Sequence, residues 1–232
     1  MKIKAKKTRI FKAGENLLFF LEKYFLRLNE GDILVVTSKI VALAENRVVK
    51  NISDKQKRAI INSESEFQLE TKYVYLTIKE GIVMANAGVD ESNANGDLIL
   101  LPRDSFLSAA KIRNHFRRKF SLKNLGVVIT DSRVMPLRSG ITGVALGYAG
   151  FHGLKDYRQE EDIFGRPFHF SSVDMADSLA TAAVLLMGEG AERQPVAVIS
   201  GAPISYCNKV DKNELKIDIR DDMYGPLFRK FK

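Results

Sequence analysis

Three apolar segments of the sequence end in side chains that could do chemistry. Lys39 follows a predicted strand over residues 31–37, Asp90 follows another apolar run, and Asp131 follows the run 126–130. A buried strand holds the side chain at its end rigidly, which a metal ligand or a general base requires. If the three segments converge, they bring two carboxylates and one ammonium group into one pocket. A magnesium–nucleotide site needs this combination, because the metal takes oxygen ligands and the phosphates need positive charge.

Each of these segments also has a purely structural interpretation, which spacing alone does not exclude. Lys39 can simply cap a loop, the stretch around Asp90 can form an Asx turn, and Asp131 can cap a turn. His152 and His169 are candidate general bases, although an isolated histidine is more often a surface residue. The metal–nucleotide hypothesis therefore depends on convergence of the three segments in the fold.

The composition excludes several other kinds of site. The chain has 232 residues, of which 45% are hydrophobic and 28% are charged, as in an ordinary globular protein. One cysteine, Cys207, and three histidines are too few for a Cys/His zinc site, so any metal must bind oxygen ligands. The sequence contains no G-x-x-x-x-G-K-[ST] phosphate-binding loop and no G-x-S-x-G nucleophile elbow.

The formal net charge of +8 predicts an anionic partner. Basic residues cluster in 2–12, 113–119 and 228–232, but no nucleic-acid motif accompanies them, so a phosphorylated small ligand is favoured over nucleic acid. The longest apolar stretch, 179–187, is far shorter than a membrane span, and the N-terminus has no recognisable signal sequence. We therefore expect a cytoplasmic protein that does not bind membranes.

Hydrophobic periodicity predicts a mixture of helices and strands without regular βαβ alternation. The predicted helices cover 15–28, 105–120 and 175–187. The second is capped by Asp104–Ser105, and the third is capped by Ser171–Ser172 with Asp174 in its first turn. The predicted strands cover 31–37, 72–78, 83–89, 126–130 and 195–200, and the glycine-rich segment 140–150 is predicted to be a strand and turn in close backbone contact.

The segments that carry the candidate residues resemble those of one known family, the coenzyme F-420 γ-glutamyl ligases. The similar stretches cover most of the chain in the order of the family pattern. They are GDILVVTSKIVALAENRVV (31–49), GIVMANAGVDESN (81–93), LLPRD (100–104), VVITDS with PLRSGITGVALGYAG (127–150), DYRQEEDIFGRP (156–167) and MGEG (187–190). As a set these stretches are specific, whereas any one of them alone would be weak.

The resemblance implies an α+β fold with mixed, largely antiparallel sheets and packed helices, in a single domain over residues 1–232. A division into two subdomains stays open. It also implies an intimate homodimer, and an enzyme that uses GTP and Mg²⁺ or Mn²⁺ to join L-glutamate to a carboxylate-bearing acceptor through an acyl phosphate. The implied acceptor is a deazaflavin coenzyme precursor, and a folate-like acceptor is the alternative.

The resemblance also assigns roles to individual residues. The implied metal ligands are Asp90, Asp131, Ser132 and Glu189. The implied nucleotide contacts are Arg9, Ile10, Phe11, Lys12, Ser38, Lys39 and Asn93. Lys39 and Arg138 are the candidates for stabilising the transferring phosphoryl group.

The chain departs from the family pattern at several of these positions. The family usually reads TDTFGRPWR where residues 130–138 read TDSRVMPLR, so Arg133 replaces an aromatic residue. Leu43 stands in place of a lysine near the nucleotide, and Glu189 in place of a glutamine. A nucleotide- or phosphate-binding homologue without ligase activity is therefore the alternative function.

Overall fold

The computed structural model describes residues 1–50, 52–94, 96–158 and 160–228. The last basic residues of the sequence, in 229–232, lie outside the described residues. The elements in chain order are β1 (Lys2–Lys6), α1 (Leu17–Tyr24), β2 (Asp32–Thr37), α2 (Ser38–Ala44), β3 (Val48–Val49), α3 (Asp54–Glu64), β4 (Phe67–Glu70), β5 (Tyr75–Lys79), β6 (Ile82–Ala85), β7 (Leu98–Ile99), α4 (Ser105–Phe120), β8 (Leu125–Val134), β9 (Ile141–Ala149), β10 (Leu154–Asp156), β11 (Ser172–Asp174), α5 (Met175–Met187), β12 (Val196–Ser200) and α6 (Gly225–Phe228).

A five-stranded mixed sheet lies at the centre of the fold, in the order β1-β12-β2-β8-β9. Only the β2–β8 pair is parallel in this sheet, and the other three pairs are antiparallel. Three small sheets surround it: β4-β5-β6, β3-β7 and β10-β11, all antiparallel. The predicted α+β class with largely antiparallel sheets is confirmed.

Helices cover both faces of the central sheet, which explains why β2 is apolar at consecutive positions. Leu34 and Val36 pack with Phe20, Phe116 and other residues of α1 and α4 on one face. Ile33 and Val35 pack against α5 on the opposite face. A strand that is buried on both faces is held in place by two cores at once.

Glycines on β9 allow two helices to approach its backbone closely. A Cβ atom at Gly143 would lie 2.5 Å from the Ala180 carbonyl oxygen on α5. A Cβ atom at Gly147 would lie 2.5 Å from the Phe106 nitrogen on α4. Side chains at these two positions would push the helices away from the sheet, so the predicted close backbone contact in this segment is confirmed.

The helix boundaries differ from the predicted ones at several points. Helix α1 is shorter than the predicted 15–28 because Asn16 caps it, accepting a hydrogen bond from the Phe19 amide. Helix α5 is capped by Asp174 and not by Ser171–Ser172, because residues 172–174 form β11 instead. The short helix α2 and helix α3 were not predicted, and none of the described helices is long and apolar enough to cross a membrane.

Hydrogen bonds fix the segment after β12 to the body of the protein. The Tyr206 hydroxyl donates to the Gly31 carbonyl over 2.6 Å, and the Tyr148 hydroxyl donates to Glu214 over 2.6 Å. Glu214 also accepts a hydrogen bond from the Gly153 amide over 2.7 Å. The segment that follows β12 is therefore attached to the rest of the protein at several points.

We expect Asp174→Asn to stabilise the protein at pH 8. Burial, and then the nearby charge of Asp177, raise the pKa of Asp174 to about 6, whereas the unfolded chain titrates near pH ~4. The wild-type protein therefore loses stability as the pH rises from about 4 to about 6. Asparagine keeps the capping hydrogen bond without the charge, which should gain about 1 kcal/mol once solvent screening is allowed for, or about 2–4 °C in Tm.

Thermal unfolding followed by circular dichroism at pH 8 and pH 4 checks this prediction. The gain should be much smaller at pH 4, where Asp174 is protonated in the folded wild-type protein and about half protonated in the unfolded chain. Asp54→Asn, on the exposed first turn of α3, is the control and should melt like the wild-type protein. An equal effect of Asp174→Asn at both pH values would contradict the assignment.

Candidate active site

The parallel pairing of β2 with β8 brings Lys39 and Asp131 to the same edge of the central sheet. Thr37 is in register with Thr130, so the residues that follow each strand segment emerge side by side. Lys39 lies in the first turn of α2, which begins at Ser38 directly after β2. The predicted strand end is confirmed, although Lys39 belongs to a helix and not to a loop.

A β-bulge sets the position of Asp131. The register between β8 and β9 shifts between Ile129 and Thr130, and the Thr130 hydroxyl donates to the Val144 carbonyl over 3.0 Å. The strand does not end at Thr130 as predicted. It continues to Val134 because β9 pairs with it beyond the packed layers, so Asp131 is an internal residue of a hairpin rather than the cap of a turn.

A tight turn directs the chain from β6 to Asp90. The predicted strand over 83–89 stops at Ala85, because Asn86 and Ala87 adopt left-handed backbone angles with φ of 52° and 54°. The Asn86 side chain accepts a hydrogen bond of 2.9 Å from the Tyr75 amide, which connects the turn to β5. The Asp90 backbone then exchanges two hydrogen bonds of 2.9 Å with Ile99, which anchors the carboxylate.

The Lys39 ammonium group binds the segment that carries Asp90. Its Nζ lies 2.7 Å from Asp90 Oδ2 and 2.8 Å from the Ser92 carbonyl oxygen. The Ser92 hydroxyl and amide both donate to the same aspartate, over 2.9 and 2.6 Å. Ser92 is a site residue that sequence reasoning missed, because a serine in a polar loop carries no distinctive signal.

Glu189 joins the cluster from the turn after α5. Its Oε2 accepts a long hydrogen bond of 3.4 Å from the Ser132 hydroxyl. The Asn93 amide donates to the neighbouring Gly190 carbonyl over 3.4 Å. The structure therefore brings together Lys39, Asp90, Asn93, Asp131, Ser132 and Glu189, as the convergence hypothesis requires.

The cluster carries more negative than positive charge, on carboxylates that are partly buried at Asp90 and Asp131 and exposed at Glu189. Burial, together with the charges of Asp90 and Glu189, raises the pKa of Asp131 to about 7, against the opposing effects of the Ser132 amide and Lys39. Burial also raises the pKa of Glu189. For Asp90, burial is outweighed by the hydrogen bonds from Lys39 and Ser92, which leave its pKa below the ordinary value.

The donor set suits a hard divalent cation, because carboxylate and hydroxyl oxygens converge where negative charge exceeds positive charge. Within the described residues, no three acidic, histidine or cysteine side chains already lie close enough to form a metal site. Asp90 is bound to the ammonium group of Lys39. A cation here would compete with that ammonium group for the carboxylate.

The N-terminal loop with the predicted nucleotide contacts is folded around Glu15. The Arg9 guanidinium pairs with this glutamate, and the Lys12 amide donates to it over 3.0 Å. Ile10 is exposed, whereas the Phe11 ring is buried against Phe20, so Phe11 can offer only its backbone to a nucleotide. Hydrogen bonds join the loop to Leu43 and Arg193, next to the segments that carry Lys39 and Glu189.

Three other positions from the sequence analysis are poorly placed to contact a nucleotide. Ser38 is buried at the start of α2, and Leu43 packs partly buried against the apolar cores on either side of that helix. Arg138 lies in the exposed turn between β8 and β9, and none of the described residues contacts its guanidinium. The structure does not bring Arg138 to the other candidate residues.

Comparisons with known proteins identify the family of this chain. A family model described as F420-0:gamma-glutamyl ligase matches residues 6–201. The coenzyme F420:L-glutamate ligase of Methanocaldococcus jannaschii is 34% identical over 86% of this chain and 87% of the relative. The ligase of Methanosarcina mazei is 34% identical over 88% of this chain and 87% of the relative. The ligase of Archaeoglobus fulgidus is 32% identical over 84% of this chain and 85% of the relative. The chain therefore belongs to the F420-0:gamma-glutamyl ligase family.

Proposed function

We propose that this protein joins L-glutamate through an amide bond to a carboxylate-bearing acceptor, in a reaction that consumes GTP and requires Mg²⁺ or Mn²⁺. The names of its relatives support L-glutamate as one substrate and a deazaflavin coenzyme precursor as the acceptor. A folate-like acceptor is the alternative, because it presents a similar carboxylate tail. The family membership supports the reaction class. The use of GTP and of a divalent metal must be argued from the site.

One observation carries the proposal: three carboxylates, from Asp90, Asp131 and Glu189, all interact electrostatically with a single ammonium group, that of Lys39, which pairs directly with Asp90. This arrangement holds more negative charge than it neutralises, which favours a divalent cation. A triphosphate could approach such carboxylates only with a cation between them, because like charges repel strongly away from water. Metal and nucleotide binding should therefore depend on each other.

The proposed chemistry has two steps that balance. An oxygen of the acceptor carboxylate attacks the γ-phosphorus of GTP, and GDP leaves with the electrons of the broken P–O bond. The amine of L-glutamate then attacks the acyl carbon, loses a proton, and displaces inorganic phosphate. In this proposal Lys39 binds phosphoryl oxygens. Arg138 keeps its proposed role only if the β8–β9 turn moves towards the site.

The metal would be held by Asp131, Asp90, Glu189 and the Ser132 hydroxyl, and it would neutralise phosphate charge during transfer. Asp131 is fixed by β8 on one side and by its hydrogen bond from the Ser132 amide on the other. Such fixation lets the carboxylates bind a cation without a large rearrangement of the backbone.

We also propose that the protein forms a homodimer. Supporting this, apolar side chains are exposed along and near the β8–β9 hairpin, including Val134, Leu137 and Ile141. Exposed apolar side chains that cluster in this way are typical of protein interfaces.

The direct test is an assay of the purified protein with GTP, Mn²⁺, L-glutamate and the acceptor F420-0. We expect GDP, phosphate and a glutamylated acceptor in equal amounts, identified by mass spectrometry, and no product when L-glutamate or the metal is omitted. Binding of GTP without any turnover, with F420-0 or with a folate acceptor, would instead support the alternative of a nucleotide-binding homologue without ligase activity.

We expect Asp131→Asn to weaken metal-dependent GTP binding without destabilising the unliganded protein. Asparagine keeps the hydrogen bond from Ser132 but removes the charge that attracts a cation. Calorimetry with Mn²⁺ present should show GTP binding weakened by at least about tenfold, since one charged metal ligand is lost. The unliganded Tm at pH 8 should be unchanged or higher. Asp156→Asn, on β10, is the matched control, and equal GTP affinity in both variants would remove Asp131 as a ligand.

We expect Lys39→Ala to have opposite effects on metal and nucleotide. Removing the ammonium group frees Asp90, so Mn²⁺ alone should bind at least as tightly as in the wild-type protein. GTP in the presence of Mn²⁺ should bind about tenfold more weakly, since a charge-assisted contact to phosphate is lost. Lys57→Ala, which removes an ion pair with Glu91 in the same region, is the control. If Lys39→Ala leaves both affinities unchanged, Lys39 is purely structural.

A further inference from the structure

A cavity of about 200 Å³ lies beside the candidate site, between β6 and the β8–β9 hairpin. Its walls are mainly apolar, with Met84, Val144 and Leu146 among the buried residues. Asp131 and Ser132 line it as well, so the cavity and the carboxylate cluster share a boundary. A molecule seated in the cavity would present one end to the proposed metal and phosphate groups.

Arg133 is the single lysine or arginine among the residues that line this cavity. One terminal nitrogen of its guanidinium, Nη2, lies 2.8 Å from Asp177 Oδ2 on α5. Asp177 is itself fixed, because its other oxygen accepts the Ala145 amide over 2.9 Å. The Arg133 side chain is therefore held at the cavity by α5 and by the backbone of β9.

The guanidinium of Arg133 keeps unused capacity for hydrogen bonding. Its Nε atom is buried, and none of the described residues accepts a hydrogen bond from it. A buried donor without a partner is unfavourable, so an anionic group entering the cavity would gain more from this arginine than from an exposed one. The position thus combines an apolar wall with a fixed positive charge.

We propose that this cavity is the acceptor subsite, in which the apolar body of the acceptor packs on Met84, Val144 and Leu146 and Arg133 pairs with an anionic group on the acceptor's arm. The inference rests on the proposed ligase function and assigns the acceptor to a place within it. The arm would then direct the reacting carboxylate towards Asp131 and Ser132. Arg133 is a specificity-determining residue in this proposal.

The chemistry of the cavity favours the acceptor over the other two substrates. The apolar walls do not suit the triphosphate of GTP, which is better placed at Lys39, a residue that does not line the cavity. L-Glutamate carries two carboxylates and an amine on a short chain and has little apolar surface to bury. An acceptor with a ring system and an anionic arm uses both the apolar walls and Arg133.

Equilibrium binding of F420-0 to the full-length protein, measured by calorimetry without L-glutamate, tests the proposal. We expect Arg133→Leu to raise the Kd for F420-0 about tenfold or more, and Arg133→Lys to restore part of the affinity because it keeps the charge. The Kd for GTP with Mn²⁺ should stay within about twofold of the wild-type value, as should the KM for L-glutamate. Arg118→Leu, on the exposed face of α4, is the control.

A second variant protects the test against a folding defect, because Arg133→Leu also breaks the ion pair with Asp177. Ala85→Leu fills the cavity from β6 and leaves that ion pair in place, and it should also weaken F420-0 binding with GTP binding unchanged. The Tm of each variant shows whether it is folded.

Three results would overturn the proposal. The first is wild-type affinity for F420-0 in both folded variants, and the second is no binding of F420-0 to the wild-type protein. The third is a higher KM for L-glutamate in the variants with an unchanged Kd for F420-0, which would assign the cavity to L-glutamate. If F420-0 binds in an Arg133-dependent way but is not glutamylated, the subsite stands and the proposed ligase function fails, so the two failures are distinguishable.

Discussion

Like charges held close together are the constraint on which this site depends. Asp90, Asp131 and Glu189 lie near one another with Lys39 as the nearest cation, in surroundings where burial already disfavours ionised carboxylates. Side chains free to move would separate. Here two of the carboxylates are attached to paired backbone, Asp131 at an internal position of β8 and Asp90 in a segment paired with Ile99, while Glu189 lies in the turn that ends α5. The packing of the whole molecule therefore maintains an arrangement that is locally unfavourable and attractive to a cation.

The β2–β8 pair explains how residues so far apart in sequence reach one place. It is the parallel pair of the central sheet, and parallel neighbours deliver their following residues to the same edge. Both strands are buried on both faces over their paired residues, so a slip by one residue would move side chains from one core into the other and disrupt the packing of both. Register in this pair thus sets the distance between the ammonium group that opens α2 and the carboxylate beyond the bulge.

Much of this framework could be predicted from the sequence, because burial leaves a strong pattern. The apolar runs at 31–37, 126–130 and 195–200 are strands, and the periodic segments at 105–120 and 175–187 are helices. The extension of β8 beyond Thr130 left no such pattern, because residues 132–134 are not packed against either core. Ser92 and the Arg133–Asp177 pair were also invisible, since each depends on contacts between segments 44 or more residues apart. Convergence of the candidate residues was a hypothesis on spacing alone and needed the three-dimensional structure.

The position of β12 has a consequence for how the molecule is made. This strand lies between β1 and β2 in the central sheet and pairs with both. Residues 2–6 and 32–37 therefore do not pair with each other, and the sheet is incomplete until residues 196–200 have been synthesised. Contacts between such distant segments form slowly, because a long loop must close before they contribute. A nascent chain on the ribosome would therefore hold β2 and β8 with one edge of β2 uncovered. The carboxylate cluster itself is complete only after Glu189 has emerged, shortly before the strand that closes the sheet.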